Sequence, residues 1–182
     1  VGDNWLDHAS DAERQFGLLR AAVIAKLHLS LLVRSTPEQF GLVLNALWQA
    51  ADPAHTTAVL DAAEQARVAE ELGNRLSDAE RKRVLELIGA LSQHADASPR
   101  RLVSAAYDYG SRVALCVTGD MWAAVNCLLR LRGLSPAGLT LEDKLELCRT
   151  EPALRGLLTF AVSELYAEAQ RTARAIEGSE AK

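Results

Sequence analysis

Few residue types in this chain could do chemistry, and their spacing is unhelpful to catalysis. The four histidines, His8, His28, His55 and His94, fall in four separate segments. None has a second ligand-type side chain at i+4, and the helical HExxH pair, CxxC and calcium-loop spacings are absent, so the sequence offers no metal site. The three cysteines, Cys116, Cys127 and Cys148, lie in apolar surroundings. Such thiols behave as small hydrophobes, and an odd number without framework spacing points to a reducing compartment. Nucleophile elbows, phosphate loops and dinucleotide fingerprints are missing, so no cofactor is expected and the chain reads as a non-enzyme.

Charged groups follow the same pattern. The carboxylate pairs Glu70-Glu71, Asp78/Glu80 and Glu142/Asp143 stand where acids complement helix starts or solvent. The basic run Arg81-Lys82-Arg83 lies beside Asp78, Glu80 and Glu86, and reads as a salt-bridged surface. With a net charge of -4, nucleic acid and anionic membranes are not expected partners.

The informative segment is Ala105 to Gly119. Tyr107, Tyr109 and an i,i+4 pair, Asp108 and Arg112, interrupt an otherwise apolar helix. Charges on such a helix require partners, so it exposes an edge or lines a groove. Tyr107, Asp108, Arg112 and Trp122 are therefore the candidate partner-binding residues. A pocket for a small molecule would instead draw on His28, Tyr107, Tyr109 and Trp48.

The elements that must position these residues are all helical. Aromatics are only 5% of the chain, and Ala and Leu fill about a third of it. Ser10 with Glu13 forms a capping box opening a helix to about Arg34, and Thr36-Pro37 with Gln39 opens a second to about Ala51. Asp52-Pro53 opens a third, closed by a left-handed Gly73, and Ser77 with Glu80 a fourth whose apolar face is Val84, Leu87, Ile88 and Leu91. Ser98-Pro99 opens a fifth helix ended by Gly119, and Asp120 caps a sixth ended by Gly133. Thr140 with Asp143 caps a seventh, with Leu141, Leu145 and Cys148 inward. Pro152 opens a long last helix through Leu154, Leu158, Ala161, Leu165 and Ala169 to about Ile176. Residues 178–182 read as a frayed tail.

The expectation is an all-α fold of seven to eight helices with roughly 80% helix, packed as antiparallel hairpins, a bundle or a short irregular solenoid. It is read as one domain over 1–182, with Gln93 to Ser98 as the most plausible seam. The chain does not begin with Met, and it reads as a piece of something longer. No stretch is long and apolar enough for a membrane span, and no signal peptide is visible. A cytoplasmic location is expected.

Within Thr-Gly-Asp-Met-Trp-Ala-Ala-Val-Asn-Cys-Leu-Leu, the residues Gly119, Ala124 and Leu128, followed by Pro136, resemble one tetratricopeptide-like repeat of a bacterial protein. The resemblance covers about residues 105–136, and no second copy follows at the family's period of about 34 residues. It implies helix hairpins offering a groove to a protein or peptide partner, which could belong to the parent chain. The expected function is thus a noncatalytic interaction or scaffold domain, with homodimerisation open through the last helix. The alternative is an all-α sensor or carrier with a small-molecule pocket between helices.

Overall fold

The computed structural model of the chain describes residues 8–55, 62–94 and 98–180, with side chains to Thr172. Ten α-helices and one 3-10 turn account for nearly all of them, and no strand occurs among the described residues. The chain divides into two compact units. The first takes the chain up to Ser30 and from Ala106 onward; the second is Leu31–Ala105. The boundaries fall at Ser30 and Ala106 and not near residues 93–98.

Helix α1 (Asp11–Lys26) opens with the expected capping box at Ser10 and Glu13. It stops earlier than expected. His28 takes a left-handed conformation (φ 56°), and the amides of His28 and Leu29 donate back to the carbonyls of Ala25 and Ile24. This is a Schellman closure with histidine where glycine is usual. A short α2 (Ser30–Arg34) follows, so the single long helix is broken in two.

In the second unit, α3 (Pro37–Ala51) carries the Thr36/Gln39 capping box and packs on α4 (Ala62–Gly73) and α5 (Asp78–Ser92). Asp52 ends α3 and does not start the next helix. Its carboxylate accepts from the amide of Ala54 in a tight turn, and Pro53 lies in that turn. Residues 56–61 lie outside the description, and Gly73 is helical rather than left-handed. Arg81 is not part of a salt-bridged run. Its guanidinium donates to the carbonyls of Ala50 and Gly73, tying down the last turns of α3 and α4. On α5 the inward line is Arg81, Val84, Ile88 and Leu91, whereas Leu87 is exposed.

The first unit holds the largest fully buried side chains. Here α6 (Pro99–Thr118, from Ala106 on) ends at Gly119 and α7 (Met121–Leu131) ends at Gly133, as expected, and both glycines are left-handed. Helix α7 packs on α1, on α9 (Pro152–Ala161) and on the 3-10 turn Pro136–Gly138. Helix α8 (Leu141–Thr150) pairs with α9, which also contacts α10 (Glu164–Glu180). Phe16, Leu115, Leu128, Leu129, Leu154, Val125 and Cys127 are fully buried among them. Two expected faces are corrected. Leu147 and Cys148 turn inward on α8, leaving Leu141 and Leu145 exposed. The long last helix breaks at Val162-Ser163, and α9 buries Leu154, Leu157 and Phe160 while Leu158 and Leu165 face solvent.

Two polar threads cross this core. Glu13, beyond its capping role, pairs with Arg130 at 3.0 Å, and Arg130 also donates to the carbonyl of His8 at 2.8 Å. Arg20, only 7% exposed, donates through Nε to Ser111 Oγ at 3.1 Å. Its guanidinium lies 4.2 Å from the Tyr107 ring centre, so attraction to the ring face offsets part of the cost of burying the charge.

Candidate functional site

The interrupting residues of α6 separate by face. Tyr107 turns inward under Arg20 and packs on the core. Asp108 and Arg112, one turn apart, share the neighbouring face and stand 4.0 Å apart, the outer limit of an ion pair. Burial outweighs the nearby arginine at Asp108, so its carboxyl is held above the usual carboxylate range. Helix α9 approaches this face at Gly156, where an added Cβ would lie 3.8 Å from Asp108 Oδ2. The absence of a side chain there leaves room beside the acid.

Around Arg112 the first turns of α9, the α9–α10 break and α6 enclose a groove of about 490 Å³. Its apolar lining comes from Pro152, Phe160 and Leu165, its polar lining mainly from Arg112, Arg155 and Thr159. The Arg112 guanidinium stands 5.3 Å from the Phe160 ring centre, which fixes the head group over an aromatic face, and Tyr166 packs edge-on against the same ring. Arg112 Nε is buried and has no hydrogen-bond partner among the described residues. Ser163, which also lines the groove, is occupied: its hydroxyl donates to the Phe160 carbonyl and accepts from the Tyr166 amide.

The other candidates lie elsewhere. Trp122 is 46% exposed at the start of α7 and does not line this groove. Tyr109 is half exposed on α6, and His28 is exposed at the break after α1, not embedded in an apolar helix. Trp48 belongs to the second unit, where it stacks on His55 at 3.7 Å with the rings 5° from parallel. It lines a separate groove of about 390 Å³ with Leu44, Ile88, Leu91 and His94. Of the four residues grouped for a small-molecule pocket, Trp48 sits in one unit and the other three are spread over separate faces of the other.

Sequence reasoning missed Arg155, Thr159 and Phe160. The signal was available: buried Leu154 and Leu157 set the register of α9, which places 155 and 159 together on the adjoining face. Choosing Leu158 and Leu165 as core residues shifted that register.

Burial pushes the Cys127 thiol up to about 11 and raises Cys116 and Cys148 as well, the reverse of nucleophile activation. No group of three His, Cys, Asp or Glu able to hold a metal ion, and no helix long and apolar enough to cross a membrane, occurs among the described residues. Comparison of the chain with protein-family models, with curated proteins and with solved structures found no match.

Proposed function

We propose that the chain is a noncatalytic α-helical interaction domain that seats a peptide segment of a protein partner in the groove beside Arg112. The observation that carries this reading is the groove itself. Arg112, singled out with Asp108 because charges on an apolar helix need a reason, lines a concave surface that is mostly apolar, and Asp108 stands behind it at 4.0 Å. Arg112 supplies a fixed polar contact and Phe160 and Leu165 supply apolar area, the mixture used by peptide-recognition surfaces. The partner could lie in the same parent polypeptide. The tetratricopeptide-like segment fits this reading: Asp120 caps α7, and Ala124, Leu128 and Pro136 are buried where that pattern wants small and large packing residues.

The test is selection of a displayed peptide library on the full chain. Enriched peptides are expected to lose about tenfold or more in affinity for the Asp108→Ala/Arg112→Ala double variant, the usual weight of a charged anchor. Undiminished affinity would overturn the reading.

A small-molecule carrier is the second reading, supported by the Trp48 groove of about 390 Å³, a volume within the range of ligand pockets. Native mass spectrometry of the chain purified from its own host tests it. A retained molecule of a few hundred daltons would support it, and loss of that molecule in Trp48→Ala would place it at this groove.

A further inference from the structure

The arginines of the groove are under-neutralised, and this deepens the interaction reading, on which it rests. Arg155 makes no ion pair or side-chain hydrogen bond among the described residues, although Glu151 stands at the favourable i-4 position. That carboxylate is engaged instead by Arg132 from the end of α7. Arg112 has only Asp108, at 4.0 Å, and its Nε has no partner. The groove thus presents two guanidinium groups against one loosely placed acid, on a chain whose net charge is -4. Thr159 adds a hydroxyl with no partner among the described residues, between the arginines and the apolar wall.

We infer that the groove recognises an acidic peptide, receiving one Asp or Glu side chain between Arg112 and Arg155 and a neighbouring apolar side chain against Phe160 and Leu165. Guanidinium groups hold carboxylates through paired, charge-assisted hydrogen bonds, and a partly dehydrated site strengthens them. The aromatic ring under Arg112 keeps that donor fork in place before binding, which lowers the ordering cost. Leu165, 62% exposed, carries the apolar lining beyond the break, onto the start of α10.

The experiment titrates the isotopically labelled full chain with acetyl-Leu-Asp-Leu-Phe-amide and with its Asp→Asn counterpart, following backbone amide resonances. The expected result is saturable shifts at Gly156, Thr159 and Leu165 with the acidic peptide, and affinity about tenfold lower for the isosteric amide. Arg155→Gln and, separately, Arg112→Gln should each weaken the acidic peptide several-fold and leave the Asn peptide unchanged; Arg155 is exposed, so its variant keeps the fold. Equal binding of the two peptides would overturn the acidic preference while leaving a peptide groove intact. Equal shifts with sodium acetate or inorganic phosphate alone would reduce the site to an anion site. No shift at the groove with either peptide at millimolar concentration would overturn the inference, and the library selection would then decide separately whether any peptide is bound.

Discussion

Both compact units bury alanines, but they differ in how many large apolar side chains they bury. The unit holding α1 and α7–α10 encloses Phe16, Leu115, Leu128, Leu129 and Leu154, whereas α3–α5 bury Ala46, Ala50, Ala69 and, among larger apolar side chains, Ile88. Alanine lets helices approach closely but removes little apolar surface from water, so each buried position of the second unit contributes less. The second unit compensates with backbone closure, using Arg81 across the ends of α3 and α4. Their grooves differ as well: the large-core unit offers Arg112 held over Phe160 with Arg155 beside it, and the other unit offers Trp48, His94 and apolar walls.

The most direct way to break this contrast is in the large core. Leu128→Ala should cost about 2–5 kcal/mol by leaving a cavity, while Ala46→Gly in α3 should cost about 1 kcal/mol, both read by urea unfolding. Equal losses would contradict the contrast. Arg130→Met should cost about 3–5 kcal/mol, because Glu13 is left buried and charged. Adding Glu13→Gln to it should recover a large part of that loss; a purely additive double variant would show that the pair is not coupled.

Smaller effects sharpen the comparison. Asp120→Ala and Ser77→Ala each remove a helix cap worth about 1 kcal/mol, but the first should loosen α7 and the second only the Leu31–Ala105 unit in hydrogen exchange. His28→Gly should stabilise by about 0.5–1 kcal/mol, since glycine takes the left-handed closure without the side-chain clash. Asp108 adds a pH signature. Its folded carboxyl is raised, so its contribution to stability is present at pH below the ordinary carboxylate range and is lost as pH rises through the folded value. Asp108→Asn should therefore be at least as stable as the parent at neutral pH, with any advantage fading in acid. An advantage that grows in acid would reverse the sign. Cys127, at about 11, is thiolate in about one molecule in a thousand at pH 8, so its labelling should be slow and limited by opening of the core.

Much of the fold was legible because capping chemistry is local. Ser10, Thr36, Ser77, Asp120 and Thr140 each start a helix through a side chain that meets an amide within three residues. Breaks without a glycine were not legible. At His28 and at Ser163 the chain turns with residues that fit a helix, and tertiary packing decides. The same limit shifted the inner faces of α8 and α9, where leucines on both sides of the helix make the period ambiguous. In the proposed site, Arg112 drew notice from charge on an apolar helix, with Asp108 one turn before it. Arg155 could be placed beside Thr159 from the helical period, but its lack of a partner could not be read, because Glu151 is drawn away by Arg132, a contact set only by the fold.

Hydrogen exchange of the native chain, measured with and without a selected groove peptide, tests most directly whether stability and recognition reside in the same unit. The amides of α7 and α9 should exchange slowest, those of α3–α5 through an opening about 2 kcal/mol easier, and the peptide should slow α6 around Arg112, α7, α9 and the start of α10 but not α3–α5. Uniform protection across both units, or slowing by the peptide in α3 and α5, would contradict the account.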